Sequence, residues 1–157
     1  MIFEKTKLKD VFVIIPEKII DERGFFARIF DEKIFEENGF DCKIKQCNIS
    51  FNKIKGTIRG IHFQKKPYQE AKFVRCVKGS IFVVIIDLRK ESKTFLEKIY
   101  LELNSVIHNM LYIPKGLGIG IQTLEDNSEL FYQMTQVYEP KFSSGILWND
   151  PFFNIKW

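Results

Sequence analysis

The chain has 157 residues, 45% of them hydrophobic and 16 of them phenylalanine, and a formal net charge of +4. That length supports one domain with a full hydrophobic core, spanning 1–157, and excludes two ordinary ones. Basic and acidic residues are interspersed, so no nucleic-acid stripe stands out, while the small positive excess favours an anionic small molecule. The three cysteines, Cys42, Cys47 and Cys76, are odd in number and lack a CxxC pair. They read as free thiols in a reducing cytoplasm. Neither a signal-peptide pattern nor an apolar run of membrane-span length is present, so the expected protein is cytoplasmic with no membrane partner.

In chain order, residues 11–15 are apolar and β-branched and stop at Pro16, a strand signal. Asp21-Glu22-Arg23-Gly24 is a turn signature, and a second strand follows over residues 25–30. Residues 31–38 form the best helix pattern, with Asp31 as N-cap and Gly39 just past the end. Everything after that predicts strands. Over residues 43–52, Gln46, Asn48 and Ser50 alternate with Cys47, Ile49 and Phe51, giving one polar and one apolar face. The polar face belongs outside on a solvated sheet, or inside on a wet barrel cavity. Further strands are expected at 58–63, 71–77, 80–88, 98–103, 106–113, 118–124 and 128–138, with Lys78-Gly79 as a hairpin signal between 71–77 and 80–88. Many short strands with one early helix predict a β-sandwich or barrel of the jelly-roll kind.

His62 is one of two histidines and shares its strand with Arg59 and Gln64, while Lys72 opens the next hydrophobic strand. A group titrating near neutral pH among fixed cations suits proton abstraction from an acidic carbon in an anionic substrate. A packed, hydrogen-bonded core histidine is the competing reading. Two histidines are too few for a metal site of His ligands, so no metal is expected and His108 reads as a surface or strand-end residue.

Several stretches, taken in order, resemble the dTDP-4-dehydrorhamnose 3,5-epimerase family. They are residues 21–26, Gln46-Cys47-Asn48-Ile49-Ser50, residues 56–64, Gln69-Glu70-Ala71-Lys72-Phe73-Val74, Asp87-Leu88-Arg89 with residues 92–95, residues 111–116, Tyr132 with Tyr138, and residues 145–151. The resemblance implies an all-β, cupin-type jelly roll, usually a homodimer, that acts on a nucleotide-linked 4-keto-6-deoxy sugar without a metal or redox cofactor. The chemistry it implies is proton removal beside the ketone and reprotonation from the opposite face. By resemblance His62 is the base, Lys72 stabilises the enolate oxygen and Tyr132 is the opposing acid. Arg59 resembles a diphosphate clamp, to which a guanidinium fork is suited. Arg23, Phe26 and Tyr138 resemble positions that hold the nucleotide, and Gln46 and Asn48 resemble cavity-lining polar residues. Read as residues alone, Arg59 and Lys72 also fit surface charges, Phe26, Tyr132 and Tyr138 fit packing, and Arg23 fits a turn.

Three positions depart from the resembled pattern. Ile119 stands where a second active-site histidine is implied, and Arg28 where a glutamate near the nucleotide is implied. The aspartate implied to orient the catalytic histidine falls beyond the tryptophan matching Trp157, where this sequence stops. The expected activity is epimerisation at the carbons next to the 4-keto group, and these departures leave open whether C3 alone is inverted and which nucleotide is bound. A catalytically silent nucleotide-sugar-binding homologue and a keto-sugar isomerase of the same fold are the alternatives.

Overall fold

The computed structural model describes residues 1–157 and places thirteen strands and one α-helix along the chain. These are β1 (Ile2–Lys5), β2 (Phe12–Ile15), β3 (Lys18–Asp21), β4 (Gly24–Ala27), α1 (Glu32–Glu37), β5 (Gln46–Asn52), β6 (Ile58–Gln64), β7 (Lys72–Lys78) and β8 (Ser80–Asp87). Then come β9 (Lys98–Asn104), β10 (Met110–Ile113), β11 (Leu117–Thr123), β12 (Ser128–Met134), a 3₁₀ turn at Pro140–Phe142 and β13 (Ser143–Gly145). Two antiparallel sheets face one another, ordered β1-β2-β10-β7-β12-β5 and β13-β6-β11-β8-β9, while β3 and β4 pair only with each other. This is the all-β jelly-roll sandwich expected from the strand spacing. None of its helices is long and apolar enough to cross a membrane.

Residue type explains which faces meet. The inner faces contribute Val74, Cys76 and Leu130 from one sheet and Ile81, Val83, Ile85 and Ile121 from the other to one buried cluster. The outer face of the larger sheet is closed by α1, whose N-cap Asp31 accepts a hydrogen bond from the Ile34 amide (3.3 Å). Phenylalanine is abundant largely because of this layer. Phe35 stacks on Phe73 (5.1 Å between centroids) and Phe40 on Tyr112 (4.3 Å), with Phe3, Phe12 and Phe30 packed around them. Strand β8 reads as an unbroken apolar run because it is covered twice. Its outward Val84 and Ile86 lie beneath Ile146, Phe153, Ile155 and Trp157 of the last segment.

The structure corrects several sequence expectations. Lys78-Gly79 does not close a hairpin, because β7 and β8 belong to different sheets. Gly79, at φ +74, turns the chain across the sandwich so that β8 can pair with β9 and β11 and bury both faces. The strand expected at 106–113 begins only at Met110. The Asn104 carboxamide accepts the amides of Val106 (3.1 Å) and Ile107 (2.8 Å), folding that stretch into a turn. The strand expected at 128–138 ends at Met134, and the one at 25–30 is shortened to Gly24–Ala27. Strands β1, β3 and β13 were not expected; each is short, and its pairing partner defines it. All three cysteines are free, Cys42 and Cys76 buried and Cys47 exposed.

Fully buried Asp87 ties the end of β8 to the loop before β9. It accepts from the Arg89 backbone (3.0 Å) and guanidinium (2.8 Å), Ser92 Oγ (2.6 Å) and Thr94 Oγ1 (2.7 Å). Burial alone raises a carboxyl pKa, but these donors more than offset it and hold Asp87 down at about 2. Because the folded pKa lies below the ordinary 3.8, its stabilisation is complete above that value and is lost as pH falls toward 2. Asp87→Ala is expected to cost about 3 kcal/mol at neutral pH. The gap between the urea midpoints of wild type and variant should narrow as pH falls from 6 toward 2.5; a gap independent of pH would contradict this role.

Candidate functional site

Side chains alternate along a strand, so Arg59 and His62, three residues apart, belong on opposite faces of a regular β6. They do not lie there. In the β6–β11 ladder Ile119 pairs with His62 and Ile121 with Arg59, so two steps on β11 match three on β6. The extra residue is a bulge, and it turns Arg59 and His62 to the same side. Gly60 makes the bulge possible. Its φ is +116, and a Cβ there would come within 2.6 Å of the Gly120 Cα and the Ile119 carbonyl oxygen. Ile61 then points outward, into the apolar layer shared with Val84, Ile86 and Trp157.

Arg59 and His62 open onto a cavity of about 350 Å³ between the sheets. Lys72 from β7 and Tyr132 from β12 line it, as does Tyr138 beyond β12, and Ser50 does so from β5. Ile119, Ile121, Val74, Leu130 and Met134 give part of the wall an apolar surface, and Gln64, Glu70 and Ser143 also line it. Ile119, the residue that stands at the implied histidine position, therefore adds neither donor nor charge beside its ladder partner His62.

The electrostatics divide the titrating groups. Burial, then the charges of Lys72 and Arg59, push the His62 pKa below the ordinary 6.5, leaving the imidazole neutral and able to accept a proton at pH 7. No hydrogen bond from another side chain engages its ring. Burial raises the Tyr132 pKa against the opposing influence of Arg59, so the phenol keeps its proton. The Arg59 Nε donates to Asn52 Oδ1 (2.6 Å), and no protein hydrogen bond engages its two terminal nitrogens. Asn52 is held in turn by the Ser50 carbonyl oxygen (3.1 Å). A fork fixed at its base and free at its tips is suited to a bidentate anion. Lys72 Nζ pairs with the carboxylate of buried Glu70, whose other oxygen accepts from Gln64 Nε2 (3.1 Å).

The other expected site residues are not gathered into this cavity. Gln46 and Asn48 sit on the same face of β5 as Ser50 but act on neighbouring groups: Gln46 Oε1 accepts from the Tyr138 amide (2.7 Å), and Asn48 Nδ2 reaches Met134 Sδ (3.6 Å). Arg23 and Phe26 lie on the β3–β4 hairpin, exposed and apart from the cavity, with Arg23 paired to Asp21. Arg28 pairs with Asp31 (3.1 Å). His108 sits in the turn before β10 with its ring against Phe25 (5.0 Å), and three or more metal-ligating side chains converge nowhere. Asn52 and Glu70 went unremarked as site residues in the sequence. Both were detectable by period two, Asn52 extending the Gln46-Asn48-Ser50 row and Glu70 preceding Lys72 by two.

The family model described as dTDP-4-dehydrorhamnose 3,5-epimerase matches residues 5–157. A dTDP-4-dehydrorhamnose 3,5-epimerase of Methanothermobacter thermautotrophicus is 40% identical over 155 residues, 99% of this chain and 83% of the relative. The crystal structure of such an epimerase from Bacillus anthracis, with TDP and PPi bound, superposes with a TM-score of 0.94 at 36% identity, over 98% of this chain and 87% of that one. A 3'-monoepimerase from Streptomyces bikiniensis in complex with dTDP-quinovose superposes with a TM-score of 0.89 at 26% identity, over 98% and 78%.

Gly60→Ala isolates the bulge. A methyl group there meets backbone rather than a movable side chain. The expected loss is about 2 kcal/mol or more in chemical denaturation, since both strain and overpacking act. An unchanged midpoint would show that the close approach to Gly120 carries no weight.

Proposed function

The chain belongs to the dTDP-4-dehydrorhamnose 3,5-epimerase family, and we propose that residues 1–157 form a single domain that epimerises a dTDP-linked 4-keto-6-deoxy sugar beside its keto group. The observation that carries this reading is the joint placement of Arg59 and His62 on one cavity face, with Lys72 and Tyr132 lining the same space. A diphosphate anchored on the free tips of Arg59 brings the sugar ring between the imidazole and the phenol. His62, neutral at pH 7, removes the proton on the carbon next to the ketone, and the electron pair moves onto the C4 oxygen. Lys72 stabilises that oxyanion, and the protonated Tyr132 returns a proton from the opposite face. Atoms and charge balance over the two steps, with no external oxidant.

Tyr138 stacks on the nucleotide in this reading, and Gln46 and Asn48 support the cavity by holding Tyr138 and Met134 rather than by touching substrate. Arg23 and Phe26 do not line their own chain's cavity and are exposed on the β3–β4 hairpin, and in this reading they serve the cavity of a second copy in a homodimer. Two observations support the dimer. Strand β5 turns its polar row inward and leaves Ile49 and Phe51 about half exposed or more, the reverse of a solvated strand. The unattached β3–β4 hairpin likewise exposes Ile19, Ile20, Phe25 and Phe26. The enzyme is cytoplasmic in this reading. Ile119 supports a restricted outcome, inversion at C3 without C5, because its side chain beside His62 offers no polar group to assist a second exchange.

The test is incubation with a dTDP-linked 4-keto-6-deoxy sugar in D₂O, followed by NMR at C3 and C5. Deuterium should enter C3 with inversion, and His62→Asn should slow that entry by about 10² or more. Equal exchange in wild type and variant would remove His62 as the base. Tight binding without any label would favour the catalytically silent reading, and a displaced keto group the isomerase one.

A further inference from the structure

We propose that Glu70 is a positioning residue of this site, holding the Lys72 ammonium at the cavity wall and offsetting the positive charge around His62. The inference rests on the epimerase reading above. Among the residues lining the cavity Glu70 is the sole carboxylate, and its side chain is 3% exposed against 12% for Lys72. One oxygen takes Lys72 Nζ; the other accepts from Gln64 Nε2 (3.1 Å). Gln64 cannot turn away, because its Nε2 also donates to the Tyr68 carbonyl oxygen (2.8 Å) and its Oε1 accepts the Glu139 amide (2.7 Å). Both oxygens of Glu70 are thus engaged and the carboxylate is fixed.

This arrangement answers two needs of the reaction. A lysine has four rotatable bonds, and holding its tip at one point before the enolate forms removes an ordering cost from the reactive step. The same contact sets a buried carboxylate directly beside the ammonium that must meet the oxyanion. The charged and titrating groups facing His62 are Arg59 on its own strand, Lys72 and Glu70 from the β7 side, Tyr132 on β12 and Tyr138 beyond it. Glu70 is the one carboxylate among them, set against the cations Arg59 and Lys72. Without its charge, both cations act on the imidazole unopposed and it protonates only at lower pH.

Glu70→Gln keeps the size of the side chain and removes the charge. The expected result is a kcat at least ~10-fold lower, KM within about twofold of wild type, and an acid limb of kcat/KM displaced to lower pH. The His62 imidazole, followed by NMR in the ligand-free protein and distinguished from His108 with His62→Asn, should titrate at correspondingly lower pH. A merely structural role moves neither the limb nor the titration. Unchanged kcat with a coincident limb overturns the proposal, as does lost kcat with His62 titrating as in wild type. If Glu70→Gln does not fold, Glu70→Asp serves: the charge stays but the carboxylate withdraws, so kcat should fall several-fold with the limb in place, and wild-type kcat overturns the proposal. Should wild type itself show no turnover, the epimerase reading fails, whereas the ligand-free His62 titration still decides whether Glu70 sets the charge balance.

Discussion

The contact on which the site depends is backbone against backbone, Gly60 on β6 lying close to Gly120 on β11. Strand geometry alone would separate a cation and a base three residues apart by the thickness of a sheet. One extra residue on β6, accommodated because neither strand carries a Cβ at that point, reverses the parity and delivers Arg59 and His62 to the same cavity. The cost of that irregularity is offset on the far side of the sheet. There the displaced Ile61 is fully buried, packed with Val84 and Ile86 beneath the last segment. The reactive face and the apolar layer behind it are therefore two consequences of one bulge.

Around that bulge the cavity is built by exclusion as much as by provision. Partial burial lowers the imidazole pKa and leaves it neutral at pH 7, and burial likewise keeps Tyr132 protonated. A base and an acid of opposite protonation state at one pH are what removal and return of a proton require. Arg59 and Lys72 deepen the first effect and Arg59 weakens the second, since positive charge disfavours imidazolium and favours phenolate. The polar row of β5 completes the site indirectly: Asn52 fixes Arg59, and Gln46 fixes the backbone at Tyr138. Facing that row inward leaves Ile49 and Phe51, on the apolar side of β5, uncovered in the single chain.

The sequence was most legible where a local signal had one structural meaning. Asp31 before an apolar helical pattern and Gly39 after it bound α1 because capping and chain reversal are local events. The alternation over β5 was equally plain, yet whether its polar side met water or a cavity depended on the opposite sheet. Lys78-Gly79 shows the limit: the same dipeptide permits a hairpin or a crossing between sheets, and the apolar character of both faces of β8 decides between them. Strand β13, Ser-Ser-Gly, carries little propensity of its own and exists through its partner β6, while β1 is too short to stand out without β2. The bulge was hidden because a period-two reading of β6 gives no sign of a parity change, although Gly60 and Gly120 mark it in retrospect. The roles proposed for His62, Lys72 and Tyr132 rest on the ordered resemblance, whereas their convergence on one cavity is a property of the fold.

The most direct measurement is a crystal structure of the protein with a dTDP-linked sugar bound. The expected complex has the diphosphate on the terminal nitrogens of Arg59, the sugar ring between His62 and Tyr132 with its C4 oxygen toward Lys72, and Arg23 and Phe26 of a second copy against the nucleotide. A nucleotide sugar bound elsewhere, or a diphosphate that leaves Arg59 free while the sugar lies beyond reach of His62, would contradict the assignment of one catalytic cavity built on the Gly60 bulge.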